Sequence, residues 1–216
     1  MTDFSQRRVM MVDTQIRPSD VTKFPIIEAM LAIPREAYVP QALVEAAYVG
    51  GNLDVAEGRT LLEARSFSKL LDALDVQPSD VILDLGCGLG YSAAVLARIG
   101  KAVIAVETEA LAAQAQSRLS AQGVDNVAVL AGALTEGAAK QAPYDVIVIE
   151  GAVETVPQAL LDQLAEGGRI GAIFMDGTLG VARVGHKGVH GVTWRDVFNA
   201  SAPVIAGFQK AREFSL

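Results

Sequence analysis

The residues best placed to do chemistry are the run Asp84-Leu85-Gly86-Cys87-Gly88-Leu89-Gly90 and, one apolar segment later, Glu107. The run falls where the apolar stretch Val81–Leu85 gives way to helical spacing from Tyr91. Its glycines therefore sit in a strand-to-helix turn, where a ligand can approach the backbone closely. A dinucleotide fingerprint, G-x-G-x-x-G, needs its third glycine at position 91, but that residue is Tyr91 and the glycine comes one earlier, at Gly90. The spacing argues against a nicotinamide cofactor. Glu107 ends the next apolar run, Ala102–Val106. A carboxylate there can accept both hydroxyls of an adenosine ribose while repelling a 2′-phosphate. Cys87 has no histidine near it in sequence and reads as a buried spacer. His186 and His190 lie four apart among glycines without a third ligand, so they read as surface-loop residues and no metal is expected.

Such residues need a frame. From Val81 onward, apolar runs alternate with helical spacing: strands Val81–Leu85, Ala102–Val106, Val127–Ala131, Val146–Glu150 and Arg169–Phe174, and helices Tyr91–Ile99, Ala110–Gln122, about Thr135–Lys140 and Pro157–Leu164. Repetition with short links predicts a parallel sheet covered on both faces. Before it, Ser5–Met30 holds two amphipathic helices around the turn Ile16–Asp20, where Pro18 disfavours helix at the preceding residue. Val49–Thr60, with Gly50, Gly51 and Gly58, reads as loop and hairpin, and Leu61–Leu74 as a helix. Gly177–Gly191 reads as a turn-rich loop between antiparallel strands Val181–Val184 and Val192–Val197, with Trp194 and Phe198 packed at the sheet edge.

The chain has 216 residues, 51% hydrophobic and 20% charged, which suits one compact domain and excludes a disordered or fibrous protein. A division into residues 1–78, a helical cap with a substrate loop, and 79–216, a ligand-binding core, is expected within that single domain. A net charge of −7 argues against nucleic acid and anionic membrane as partners. A single cysteine excludes an internal disulfide, and neither a signal peptide nor a membrane-spanning run is expected, consistent with the cytoplasm.

The pattern Asp-x-Gly-x-Gly-x-Gly after the first core strand resembles the S-adenosylmethionine motif of class I methyltransferases. A more particular resemblance covers residues 9–175. Met11-Val12, Gln15-Ile16, Ala29-Met30 and Ile33-Pro34-Arg35-Glu36-Ala37-Tyr38-Val39-Pro40 look like the N-terminal region of the protein-L-isoaspartate O-methyltransferases, with their Pro-Arg-Glu-x-Phe/Tyr-Val-Pro hallmark. Ala47-Tyr48, Leu53–Thr60, Asp84–Tyr91, Val106-Glu107, Tyr144-Asp145, Val156-Pro157 and Gln163–Arg169 continue the match. The resemblance implies a mostly parallel seven-stranded α/β sheet with helices on both faces and an N-terminal helical cap. It implies an S-adenosylmethionine cofactor on Asp84, Gly86, Gly88, Gly90, Tyr91, Glu107, Thr108, Gly132, Ala133 and Leu134. It also implies methyl transfer to a protein or peptide carboxylate, or to a small-molecule acceptor, by a monomer or homodimer.

Departures from the family pattern fall at its substrate side. The family's Asp after Ala-Tyr-x is Gly50, its Ser of Thr-Ile-Ser-x-Pro is Leu62, the Pro is Ala64, and Gly-Asp-Gly is Gly132-Ala133-Leu134. Ala133 cannot accept an adenine amino group by its side chain, a loss of about 1 kcal/mol or roughly five- to tenfold in affinity. Leucine offers no hydrogen bond where the family has a hydroxyl, so the catalytic residue is left unassigned. Arg59, Thr60, Leu62 and Glu150 are the candidate substrate-side residues, Glu150 standing where the family usually has threonine after the fourth core strand. Arg65 is a second cation that could replace the lost polar contacts. An alternative is a cofactor-binding homologue without isoaspartyl activity.

Overall fold

The computed structural model describes residues 3–211 of the chain. Helix α1 (Phe4–Met11) begins at Asp3, whose carboxylate accepts from the Ser5 and Gln6 amides. The helical path then widens through Val12–Ile16 and tightens through Arg17–Ser19 before Asp20, at φ 66°, ends it. The expected break near Pro18 is thus a change of helical pitch. After α2 (Phe24–Ala32), short 3₁₀ segments Arg35–Tyr38 and Gln41–Ala46 lead to the hairpin β1 (Leu53–Ala56) and β2 (Arg59–Leu61). Helix α3 is Ala64–Leu74, three residues shorter than expected because Leu61 closes the hairpin opposite Leu53. It buries Phe67, Leu70, Leu71 and Leu74 along one face.

The remaining elements are β3 (Val81–Leu85), α4 (Tyr91–Ile99), β4 (Ala102–Glu107), α5 (Glu109–Ala121), β5 (Val127–Ala131), β6 (Tyr144–Val153), α6 (Gln158–Asp162), β7 (Leu164–Asp176), β8 (Leu179–Gly188) and β9 (Gly191–Asn199). Strands β3 to β9 form one sheet in the order β5-β4-β3-β6-β7-β8-β9, parallel through β7 and antiparallel beyond it. Strand order reverses between β3 and β6, the switch point at whose carboxyl ends such sheets bind ligands. Buried residues line both faces: Ile82, Val103 and Val146 pack with α2, α3 and α4, while Leu83, Leu85, Ile147 and Phe208 pack with Leu160 of α6. Among the described residues no helix is long and apolar enough to cross a membrane.

Three expectations are corrected. No α-helix forms over Thr135–Lys140: Gly137 takes φ 62°, and the freed backbone groups bond to side chains. Tyr144 donates to the Ala138 carbonyl at 2.7 Å, and Gln163 both accepts from the Ala138 amide and donates to the Glu136 carbonyl. Strand Val146–Glu150 runs on to Val153, because Ala152 exchanges backbone bonds with Pro203 and Ile205. The Gly177–Gly191 stretch is mostly strand β8. Its interior glycines serve close packing rather than turning: a Cβ on Gly180 would lie 2.0 Å from the Ala200 carbonyl oxygen, and one on Gly185 2.5 Å from Val192.

Candidate functional site

The glycine run turns between β3 and α4 with Gly86, Gly88 and Gly90 at φ 83°, 58° and 100°, a backbone that L side chains rarely adopt. Gly90 caps α4, and a Cβ there would press on Leu119 at 3.2 Å. Glu107, fully buried at the end of β4, reaches back to this loop. Its Oε2 accepts from the Gly88 amide at 2.9 Å and its Oε1 from the Thr108 amide at 2.8 Å. The two features, separated in sequence, thus meet.

Arg59 meets them too. From the start of β2 its Nε lies 2.9 and 2.8 Å from the two Glu107 oxygens, and a terminal nitrogen lies 2.8 Å from Oε1. Arg59 is only 7% exposed, so this is a buried, forked ion pair of the charge-assisted kind. Val55 of β1 stands 3.4 Å from where a Gly88 Cβ would be. The hairpin is thereby seated on the glycine loop.

Beneath the loop lies a set of buried polar groups. Asp84 accepts from the Ser92 hydroxyl at 2.7 Å through one oxygen, while its other oxygen, one Glu150 oxygen and the Tyr38 hydroxyl have no hydrogen-bond partner. Burial raises the Asp84 carboxyl to about 7, against a lowering by Ser92 and a further rise from Glu107. Burial and then the Asp84 charge push Glu150 well above the ordinary carboxylate range. The Cys87 thiol is pushed up by burial and by Asp84, Glu107 and Glu150, so it is protonated and unreactive at neutral pH. Arg35 donates to the carbonyls of Ala47 and Leu62, each at 2.7 Å, and lies over the Tyr91 ring. Arg35 and Tyr38 were visible in the sequence only as members of the Pro-Arg-Glu-Ala-Tyr segment, without roles, and Ser92 carried no signal beyond its place in the helix after the glycine run.

Other expected residues divide. Thr60 and Tyr91 line the same small cavity as Gly86, Gly88 and Glu150. Tyr91 is wedged between Tyr38 and Phe67 with its hydroxyl 3.6 Å from the Met30 sulfur. Leu62 is buried and offers its carbonyl to Arg35, whereas Gly50 is exposed, 3.8 Å from the Gln15 side chain at its would-be Cβ. Leu134 is buried against Gly86, while Gly132 and Ala133 are exposed beyond β5. Arg65 is half-exposed near Glu63 and lies over the Phe198 ring, away from Glu107. Trp194 meets Phe174 edge-on at 4.8 Å. His186 lies within β8 opposite Thr193 and not, as expected, in a loop, whereas His190 sits in the β8–β9 turn; both are exposed, and among the described residues no His, Cys, Asp and Glu cluster could hold a metal.

These polar groups suit the ribose and amino-acid ends of an adenosyl ligand, but the space does not. The cavity framed by Tyr38, Val55, Leu61, Gly88 and Glu150 is about 10 Å³, no more than one water requires. A cleft of about 540 Å³ exists between α2, α4 and residues 122–126, but it opens at the amino ends of the strands, away from Glu107.

Fold and loop together define a Rossmann-like methyltransferase architecture, the class I arrangement. The family model described as protein-L-isoaspartate(D-aspartate) O-methyltransferase matches residues 6–175, and the chain belongs to that family. Relatives named protein-L-isoaspartate O-methyltransferase include proteins of Koribacter versatilis, 38% identical over 79% of this chain and 77% of theirs, and of Methylorubrum extorquens, 38% identical over 78% and 74%. A solved structure of that name superposes with a TM-score of 0.82 at 22% identity, covering 95% of this chain and 66% of the other. A Plasmodium falciparum structure assigned to the same family, in complex with S-adenosyl-L-homocysteine, superposes at 0.77 with 15% identity over 95% of this chain and 99% of the other. At these identities the structural likenesses speak for the fold.

Proposed function

We propose that the chain is an S-adenosylmethionine-dependent O-methyltransferase acting on isoaspartyl carboxylates in proteins. The observation that carries the cofactor is Glu107: a buried carboxylate at the end of β4, oriented by the Gly88 and Thr108 amides beside the glycine loop; the isoaspartyl acceptor is supported by the family match over residues 6–175. The cofactor supplies an activated sulfonium methyl. In this reading Gly86, Gly88, Gly90, Tyr91, Glu107 and Thr108 hold it, Asp84 and Leu134 line its floor, and Gly132 and Ala133 border the adenine end. Arg59, Thr60 and Leu62, from a cap spanning residues 1–78, and Glu150, from β6 of the core, face the acceptor. A carboxylate acceptor is already ionised near neutral pH, so the protein's task is alignment and water exclusion rather than proton removal. The small cavity of the closed conformation, about 10 Å³, leaves no room for the cofactor.

A second reading, a homologue that binds the cofactor but does not repair isoaspartate, is favoured by Leu62, buried where the family carries a hydroxyl, and by Gly50. Net charge of −7 and the lone Cys87 support a cytoplasmic protein with no nucleic-acid partner.

Calorimetric titration with S-adenosylhomocysteine, followed by methyl transfer to an isoaspartyl peptide, separates the readings. Binding that is lost in Glu107→Ala, with turnover, establishes the enzyme. Binding without turnover selects the second reading, and undiminished binding by Glu107→Ala removes the cofactor assignment.

A further inference from the structure

We propose that Arg59 is an intramolecular latch that holds the ribose-binding carboxylate in the absence of ligand, so that the β1–β2 hairpin must lift before an adenosyl ligand can enter. The inference rests on the cofactor reading above. Glu107 is the one group at this site able to accept a ribose diol at the end of β4, and both of its oxygens are already taken. Each accepts a backbone amide and the Arg59 fork. Diol hydroxyls and the guanidinium cannot occupy the same two oxygens in plane.

Closure has a second, independent mark. Lifting Arg59 moves β2, and β2 is paired to β1, whose Val55 covers Gly88. Beneath this cover the outer oxygens of Asp84 and Glu150 and the Tyr38 hydroxyl, all in buried residues, find no partner in the closed state. Buried polar atoms are seldom left unpaired, and here Tyr38 and Glu150 line the small space under the hairpin, with Asp84 behind its wall residue Ser92. The arrangement is that of a site built for a ligand and shut by its own chain.

The latch is also well set to release. The hairpin is short, four residues against three, and its turn at Glu57–Gly58 is exposed. When the guanidinium leaves, Glu107 keeps the Gly88 and Thr108 amides, so its oxygens stay positioned for the incoming hydroxyls. Apparent affinity then equals the intrinsic affinity scaled by the fraction of molecules with the hairpin lifted. Arg59 thus sets a threshold concentration for the cofactor.

The test is titration of wild type, Arg59→Gln and Arg59→Ala with S-adenosylhomocysteine, alongside hydrogen exchange of the wild type with and without saturating ligand. The expected result is affinity at least tenfold tighter in the Arg59 variants, and altered exchange at residues 53–61 when the wild type binds. Equal affinity in all three proteins overturns the latch and leaves the cofactor assignment standing. Binding by none overturns both. Should the variants fail to fold, the wild-type exchange decides: ligand binding with unchanged exchange across 53–61 overturns the latch, and altered exchange there supports it.

Discussion

Asp84 and Glu150 are carboxyl groups that the fold has taken out of water, and each keeps one oxygen without a donor. For Asp84 the sign of the consequence is fixed by its rise to about 7, well above the ordinary carboxylate range. The folded chain retains a proton that the unfolded chain gives up, so this group's contribution is complete below about pH 4 and is lost as pH climbs toward 7. Wild type should therefore lose more stability between pH 5 and pH 8 than Asp84→Asn, read as urea midpoints; parallel profiles would refute the assignment. At Leu62 the expectation concerns function. Serine there would place a hydroxyl in a buried setting next to a carbonyl already used by Arg35, costing about 1–3 kcal/mol. With Gly50 and Ala64 unchanged it should not restore isoaspartyl methylation, and full turnover by Leu62→Ser in a peptide assay would contradict that. Glu107 was legible from its position alone, whereas its partner Arg59 was visible only as a cation in a loop. No spacing rule links residues 48 positions apart.

Elements show the same division. The glycine loop was legible because three glycines after an apolar strand have a local cause, the left-handed turn. Gly90→Ala tests it: φ near 100° and the Leu119 side chain 3.2 Å away both penalise a Cβ. The expected cost is about 1–3 kcal/mol, seen as a melting temperature lowered by several degrees. Gly180 and Gly185 were misread as turn residues since composition cannot distinguish a glycine that bends the chain from one that admits a neighbouring strand. The helix expected at Thr135–Lys140 failed for a related reason. Its competing hydrogen bonds come from Tyr144 and Gln163, which only the folded sheet brings near. Helix α3 was recognisable because its apolar stripe is intrinsic to the segment. Leu71→Ala, at a fully buried site, should cost about 2–5 kcal/mol in denaturant unfolding.

At the scale of the whole molecule, one continuous apolar cluster runs from Met11 in the N-terminal segment through α3 and the sheet to Ala202. The cap and core should therefore unfold together: Trp194 emission and far-ultraviolet circular dichroism should give coincident urea transitions, and separated midpoints would divide the chain at residue 78. Trp194 lies on β9, four strands from β3 in the sheet order, and should report unfolding without responding to S-adenosylhomocysteine. By itself the sequence determined the α/β alternation, the glycine turn, the carboxylate at the end of β4 and the family, because periodicity, left-handed glycines and contiguous motifs are local properties of a chain. Tertiary structure alone decided that Arg59 spans from the hairpin to Glu107, that Glu150 and Tyr38 share one small buried space with Asp84 behind it through Ser92, and that the site is shut. Those facts depend on which distant segments pack together and exclude water between them.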